Sequence, residues 1–223
     1  MAYPAQIEDC KGAVRFLRAH AEEYGIDPER IACSGTSAGA HLAILLAVTG
    51  DVEELEGETG GNLEQSSRVQ VCADFYGMTD IIILSTDLYD APYHINAMDA
   101  YNQIDAYNSA RSQLIGFKEK GEGMGVLRAE QYNPDTPYKE ELKLVEMASP
   151  INYVTTDDAP IFMGQGGKDP RVFVAQAERL HKLYIQAGLE AYLMVNSMAG
   201  RDNLGTYINE AALSFLRDKL GMN

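Results

Sequence analysis

The stretch RIACSGTSAGAHLAILLA, residues 30–47, decides the interpretation of this chain. It begins like a short strand and ends like an apolar helix. Between the two, GTSAG at residues 35–39 places Ser37 at a sharp turn, with Gly35 and Gly39 two residues to either side. A serine on such a turn is held in a strained backbone conformation with its hydroxyl exposed, as a nucleophile requires. The pattern predicts a nucleophile elbow at Ser37.

The helix after the turn adds an electrostatic argument. Its N-terminal amides point towards Ser37, so the N–H of Ala38 is the candidate donor to an oxyanion that develops there. The glycines at 35 and 39 are expected to let the chain fold so sharply, because they have no side chains. The alternative is a turn of small residues that carries no chemistry.

Strands and helices alternate along most of the chain. This order predicts an α/β fold, a parallel sheet flanked by helices on both faces. The predicted strands are RIACSG, RVQVCADFYG, APIFMGQGG and LEAYLMVNSM. The predicted helices are the first one, with Ile7, Cys10, Val14, Leu17 and Ala21 on its apolar face, then residues 38–48, VFVAQAERLHKLYIQAG and GTYINEAALSFLRDKLG.

One segment interrupts this alternation. Residues 80–147 are polar, rich in Tyr, Asn and Asp, and predicted to be mainly helical. We expect a cap-like insertion there, within a single domain that spans residues 1–223. A shorter acidic segment, EELEGE at residues 53–58, is expected to be a solvated surface loop.

Composition restricts the partners and the compartment. The chain has 223 residues, with 33 acidic against 18 basic side chains and a formal net charge of -15. This charge repels phosphate backbones and anionic lipids, so we expect neither nucleic acid nor membrane as a partner. Three widely spaced cysteines without a CxxC motif, and a start without a secretory signal, predict a cytoplasmic protein.

We expect no cofactor and no metal. The one cluster of possible metal ligands consists of Asp87, Asp90 and His94, which would share a helix face. Such a set fits a hard metal ion, but a solvated polar face is the more frequent outcome and is the interpretation favoured here.

Four stretches together resemble one known family. They are YPAQIEDCKGAVRFLRAHAEEYGIDPERIACSGTSAGAHLA, FYGMTD, ASPINYVTTDDAP and GQGGKDPRVFVAQAERL. The chain resembles α/β-hydrolases of the carboxylesterase and acetyl-esterase type, including the BD-FAE-like esterases. The resemblance implies hydrolysis of small acylated or carbohydrate-type esters, with Ser37 as nucleophile and Asp169 as the acid of a catalytic triad. An alternative role for Asp169 is a helix N-cap before Pro170.

The triad histidine expected from the resemblance is missing. Arg201 follows Gly200 where the family has a Gly-His pair. Arginine stays protonated and has no acceptor lone pair, so it cannot take a proton from Ser37. We expect it to form an ion pair with Asp169 that fills the cleft. The remaining histidines are His20 on the first helix, His41 inside, His181 on a solvent face, and His94 in the insertion, the only one of the four in a segment that could fold over Ser37. None of them is expected to replace the triad histidine.

The second missing part is the upstream loop that completes the oxyanion hole in this family, usually marked by a His-Gly-Gly run. The resemblance also implies earlier strands without a counterpart in the given sequence, so we expect the nucleophile strand at a sheet edge, which a homo-oligomer would cover. Two functions therefore remain open. One is a serine esterase with impaired activity, acting on a small-molecule ester. The other is an inactive pseudoenzyme or gene fragment that keeps the fold and a cleft.

Overall fold

A computed structural model describes residues 2–84, 86–87 and 104–222 of the chain. Within these residues, four parallel strands form one sheet in the order β1-β2-β3-β4. The strands are β1 Ala32–Thr36, β2 Val71–Phe75, β3 Ile161–Gly166 and β4 Ala191–Asn196. The predicted α/β class with a parallel sheet is confirmed.

Helices follow each strand. The chain-order helices are α1 Ala5–Ala19, α2 Ala21–Tyr24, α3 Ala38–Val48, α4 Ala110–Ile115, α5 Met124–Glu130, α6 Lys139–Met147, α7 Val174–Gln186 and α8 Thr206–Lys219. Short 3₁₀ turns lie at Glu53–Leu55 and Pro150–Asn152. The predicted first helix divides into α1 and α2 at His20, and its expected apolar residue Leu17 is 39% exposed. Within the described residues, no helix is long and apolar enough to cross a membrane.

Alternating side chains of the central strands supply two separate cores. On β2, Cys72 belongs to the larger core, with residues of α1, α3 and α7, whereas Val71 and Ala73 face the smaller core beneath α8. Strands buried on both faces in this way explain why the sequence reads as continuous apolar runs.

The nucleophile strand is covered on one face only. In β1, Ala32, Ser34 and Thr36 are exposed, while Cys33 and Gly35 are half-buried. Helix α8 lies over β2 and β3 and leaves this face of β1 open. The strand also pairs with β2 alone among the described residues, so it forms an edge of the described sheet.

The acidic segment at residues 53–58 departs from expectation. Leu55 is fully buried, and Glu56 accepts hydrogen bonds from Lys11 Nζ at 2.7 Å and from Arg15 Nη1 at 2.6 Å. Both cations are almost wholly buried, and they need a carboxylate because an unpaired buried charge is costly. The prediction of a solvated loop is therefore wrong for Leu55 and Glu56.

Part of the predicted insertion lies within the described residues. Helices α4 to α6 are there, and Arg128 forms a bidentate ion pair with Asp105 at 2.7 and 2.8 Å. Asp87 accepts a hydrogen bond from Arg179 Nη1 at 3.0 Å, whereas Asp90 and His94 lie outside the described residues. In the described part of the chain, no group of three or more His, Cys, Asp or Glu could hold a metal ion.

Candidate active site

Ser37 occupies a strained turn between β1 and α3. Its backbone angles are φ 56° and ψ -119°, in a region that L residues rarely adopt. The turn is tied to the sheet because the Ser37 N–H donates to the Phe75 carbonyl at 3.0 Å. The Ser37 carbonyl accepts from the His41 N–H at 3.0 Å, which starts the helix. Strain held in this way is frequent at functional sites.

The two glycines of the turn have different roles. A Cβ on Gly35 would lie 2.3 Å from the carbonyl carbon and oxygen of Gly39, so the strand end and the first helical turn meet only if residue 35 is glycine. A Cβ on Gly39 would meet nothing within 4 Å. The expectation that both positions need to lack a side chain is therefore wrong for Gly39, whose contribution is its backbone.

Ala38 is the first residue of α3 and is exposed beside Ser37. The first N–H groups of a helix have no intrahelical acceptor, and the helix dipole makes that end positive. Its N–H is thus available to an oxygen that becomes negatively charged near the Ser37 hydroxyl.

Asp169 lies in the turn that follows β3 and is fully buried. Its Oδ1 accepts from the backbone N–H groups of Arg171 at 2.8 Å and Val172 at 3.1 Å. Helix α7 begins later, with Phe173 as its N-cap. The alternative role of Asp169 as a helix N-cap is therefore wrong, since its carboxylate closes a turn before the helix.

Arg201 bridges Asp169 and Ser37. Its Nη1 lies 2.8 Å from Asp169 Oδ2, and its Nη2 donates to Ser37 Oγ. The guanidinium carbon also lies 4.7 Å from the centre of the Tyr76 ring, a cation–π contact. The Arg201 side chain is only 10% exposed, so it occupies the space between the acid and the serine.

Backbone contacts hold the loop that carries Arg201. The N–H of Lys168 donates to the Ala199 carbonyl at 2.9 Å, and the Gly167 N–H donates to the Asn196 carbonyl at 2.9 Å. A Cβ on Gly166 would lie 1.7 Å from the Gly200 oxygen. The loops after β3 and β4 thus touch through their backbones, which sets the position of residue 201 relative to Asp169.

A cavity of about 290 Å³ opens beside Ser37. Its polar wall includes Arg111, Arg171 and Arg201, and its apolar wall includes Leu42, Met78, Leu114 and Val172. The three arginines come from α4, from the turn after β3 and from the loop after β4. Arg111 and Arg171 were not singled out from the sequence, because nothing in the local pattern shows which distant arginines converge on Ser37.

His41 is the one histidine among the described residues in the cavity wall. Its Nδ1 lies 3.0 Å from the Met78 carbonyl, which can only accept, so Nδ1 carries the proton. Burial lowers the pKa of His41 to about 4, against the opposing effect of this hydrogen bond. The ring is therefore neutral at pH 7, and its buried Nε2 has no hydrogen-bond partner in the described part of the chain.

The other histidines do not reach this site within the described residues. His20 ends α1, where its Nδ1 lies 2.9 Å from the Phe16 carbonyl, and His181 lies within α7. His94 lies outside the described residues. The structure thus brings Ser37, Ala38, Asp169 and Arg201 together.

A parallel sheet with a strained serine between its strand and helix, and an acid after a later strand, defines an α/β-hydrolase fold. The model of the BD-FAE family matches residues 1–184. The chain belongs to the BD-FAE family.

Individual relatives agree with this assignment. Esterase LipQ of Mycobacterium tuberculosis is 30% identical over 186 residues, which are 83% of this chain and 35% of that protein. A truncated carbohydrate esterase from gut microbiota superposes with a TM-score of 0.76 at 27% identity, over 99% of this chain and 70% of that one. An esterase of Thermogutta terrifontis shares the fold, with a TM-score of 0.62 at 20% identity over 95% of this chain and 63% of that one. The chain spans about a third of the length of LipQ and of two further esterase-type relatives from the same organism.

Proposed function

We propose that Ser37 is the nucleophile of a carboxylic-ester hydrolase site for small acylated or carbohydrate-type esters, and that Arg201 impairs its turnover. The observation that carries the first part is the strained turn at Ser37, because a random surface serine has no need of positive φ. The names of the relatives support the substrate class, since they include esterases and a carbohydrate esterase.

In this mechanism Ser37 Oγ attacks the ester carbonyl and the Ala38 N–H stabilises the oxyanion of the tetrahedral intermediate. The alcohol leaves and an acyl-serine remains, which water then hydrolyses. Both steps need a group that accepts a proton and returns it. Arg201 lies beside Ser37, where a catalytic base is needed, and arginine cannot accept a proton. Loss of the base from a triad lowers turnover by about 10⁶.

The test is hydrolysis of p-nitrophenyl acetate by the purified chain and by Ser37→Ala. We expect slow hydrolysis that depends on Ser37, far below the typical turnover range of about 1–10³ s⁻¹. Ser34→Ala is the matched control, since Ser34 lies on β1 three residues before Ser37 and its hydroxyl donates to the Ala73 carbonyl. Equal rates for the wild type and Ser37→Ala, with no labelling of Ser37 by a fluorophosphonate probe, would refute the proposal.

The second candidate function is a pseudoenzyme that keeps the fold and a binding cleft. The contact of Arg201 with both Ser37 and Asp169 favours it. Labelling of Ser37 by the fluorophosphonate at the rate of an active esterase would exclude this candidate.

Four finer expectations remain proposals. The insertion at residues 80–147 would select the acyl and alcohol groups of the ester substrate. Residues 1–223, with the insertion, would form a single domain. A second copy of the chain would cover the edge of β1 that has no partner strand among the described residues, and light scattering after size-exclusion chromatography would detect the dimer. The three cysteines are free thiols, which supports a cytoplasmic location. The net charge of -15 supports the absence of nucleic acid and membrane from the partners.

A further inference from the structure

Arg201 contacts the oxygen of Ser37 that would react. Its Nη2 donates a hydrogen bond to Ser37 Oγ, and its Nη1 lies 2.8 Å from Asp169 Oδ2. The other carboxylate oxygen of Asp169 accepts from the backbone N–H groups of Arg171 and Val172, at 2.8 and 3.1 Å. The guanidinium therefore separates the buried carboxylate from Ser37, and the side chain bonded to Ser37 Oγ is a donor that cannot accept a proton.

His41 does not supply a base. Its Nδ1 proton is donated to the Met78 carbonyl at 3.0 Å, and its buried Nε2 has no hydrogen-bond partner among the described residues, so no hydrogen bond joins it to Ser37 Oγ. Burial also lowers the pKa of His41 to about 4. An imidazole with so low a pKa holds a proton poorly at pH 7, which makes it a weak general base. The proton of Ser37 therefore has to leave to the solvent.

The surroundings of Ser37 Oγ favour a negative charge there. The Arg201 side chain is only 10% exposed where it meets this oxygen, and Arg111 and Arg171 lie in the wall of the same cavity. Ser37 is also the N-cap of the 11-residue helix α3, whose dipole is positive at that end. The charge of Asp169 opposes this effect from the far side of the guanidinium. A hydrogen bond from a cation is stronger to an anionic oxygen than to a neutral hydroxyl.

We infer that Arg201 is a catalytic residue, which stabilises the alkoxide form of Ser37 that hydroxide from the solvent generates. Hydroxide removes the Oγ proton and becomes water, and the alkoxide forms a bond to the carbonyl carbon of the ester. The tetrahedral intermediate expels the alcohol as an alkoxide, which takes a proton from water. A second hydroxide attacks the acyl-serine and releases the carboxylic acid and the Ser37 alkoxide.

This inference rests on the proposed ester hydrolysis and gives its chemistry. Arg201 impairs turnover relative to a histidine, because it leaves proton removal to hydroxide, which is scarce at neutral pH. It raises turnover relative to an uncharged side chain, because it lowers the energy of the reacting alkoxide. The two effects are measured against different references and are compatible.

The test is the rate at which a fluorophosphonate labels Ser37 of the full chain, followed by mass spectrometry with Ser37→Ala as the blank. In this reaction the bond between Oγ and phosphorus forms and fluoride leaves. We expect the rate to rise by about tenfold per pH unit from about pH 6 to about pH 9, because the alkoxide population follows the hydroxide concentration. The range ends there because burial lowers the pKa of Arg111 to about 10.

Asp74 is a second group that titrates in this range. It is the register partner of Gly35, at the start of the turn, and burial raises its pKa to about 7. The same profile is therefore measured on Asp74→Asn, which should keep the steady rise. A plateau above about pH 7 in both proteins would overturn the inference, because it would show an imidazole as base, such as that of His94 outside the described residues. A flat profile in Asp74→Asn alone would overturn it as well, because the carboxylate would then be the base.

Arg201→Gln is the matched variant, because glutamine is polar and carries no charge. We expect its labelling to be at least about tenfold slower at every pH, in line with the loss of a hydrogen bond from a charged donor. Arg217→Gln is the control, because Arg217 is an exposed arginine on α8 outside this cavity, and it should label like the wild type. Equal rates for the two folded variants would contradict the inference.

The wild type gives a further measurement that does not depend on the folding of a variant. If hydroxide removes the proton before the attack, no proton moves in the slow step. Labelling in heavy water, at equal deuteroxide concentration, should then be at least as fast as in water. Slower labelling in heavy water would contradict the inference, because it would show a base that takes the proton during the attack.

Failure of this inference can be told from failure of the proposed function. Labelling of Ser37 that levels off with pH, or that is the same in Arg201→Gln, would refute the inference and leave ester hydrolysis at Ser37 standing. No labelling of Ser37 at any pH would refute the proposed function, and the role of Arg201 with it.

Discussion

Nη1 of Arg201 lies 2.8 Å from Oδ2 of Asp169, in an ion pair almost removed from solvent. Asp169 is the position that a triad acid would occupy, and its working partner would be a histidine able to pass a proton to and from the serine. With arginine as that partner, the carboxylate neutralises a fixed charge. Asp169 and Arg201 therefore neutralise each other's charge, whereas the family resemblance implies proton transfer at these two positions.

The first prediction concerns the energy of this pair. Arg201→Met leaves the buried Asp169 carboxylate without its cation, and we expect a loss of about 3 kcal/mol in the free energy of unfolding. Adding Asp169→Asn should restore part of that loss. Urea denaturation of both single variants and the double variant gives the coupling energy, expected at about 1–3 kcal/mol. Additive effects of the two substitutions would show that the pair does not couple.

The second prediction concerns the missing base. Arg201→His places an imidazole beside Asp169 and Ser37, and we expect p-nitrophenyl acetate hydrolysis to rise but to stay about 10²–10³ below that of an esterase with a complete oxyanion site. Ala38 is the one oxyanion donor identified among the described residues, and a missing donor costs about 10²–10³. Steady-state kcat/KM of Arg201→His, with Arg201→Gln as control, is the measurement. A turnover of Arg201→His within the usual enzyme range of about 1–10³ s⁻¹ would show that the oxyanion site is complete.

The third prediction concerns pH and Asp74, a buried residue of β2. Burial raises the pKa of Asp74 to about 7, although its hydrogen bond from the Gly77 N–H opposes the shift. In the unfolded chain the pKa is about 3.9. Between these values the folded protein retains a proton that the unfolded chain releases, so this contribution to stability is present below pH about 4 and is lost as pH rises to 7.

Asp74→Asn isolates this effect, because asparagine does not titrate and keeps an oxygen for the Gly77 N–H. We expect the wild type to lose stability relative to Asp74→Asn as the pH rises from about 4 to 7, by up to about 1.4 kcal/mol per pH unit. Denaturation curves at several pH values measure the difference. Other titrating groups are shared by both proteins, so parallel stability profiles would rule out a raised pKa at Asp74.

The fourth prediction concerns Glu56 beneath α1. Glu56→Ala leaves Lys11 and Arg15 buried without their carboxylate, and we expect a loss of about 3–5 kcal/mol in the free energy of unfolding. Glu58→Ala is the control, since Glu58 is exposed in the same segment. Its effect should stay within about 0.5 kcal/mol. Comparable losses for the two variants in thermal or urea denaturation would show that the buried pairs contribute little.

The sequence predicted those features that depend on local pattern. GTSAG indicated the turn at Ser37, and the apolar run after it indicated a helix over residues 38–48, where α3 lies. The four parallel strands followed from their apolar runs and from the helices between them. Local pattern could not predict that Glu56 compensates Lys11 and Arg15, because that pairing depends on how α1 crosses the loop.

The residues that line the cavity could not be predicted from the sequence either. Arg111 and Arg171 are 60 residues apart in the numbering, and only the tertiary fold brings them to Ser37. The hydrogen bond of His41 to the Met78 carbonyl, which fixes its neutral tautomer, also joins separate segments. A side chain's charge state depends on burial, which the spacing of residues does not determine.

The open face of β1 has a consequence for motion. This strand pairs with β2 alone in the described part of the sheet, and three of its five residues are exposed. Its amides are therefore expected to exchange with deuterium sooner than those of β3, which is buried throughout and paired on both sides. Local opening of the sheet at this edge would then involve the strand that leads into Ser37, and the geometry of the turn would be lost while most of the molecule remained folded.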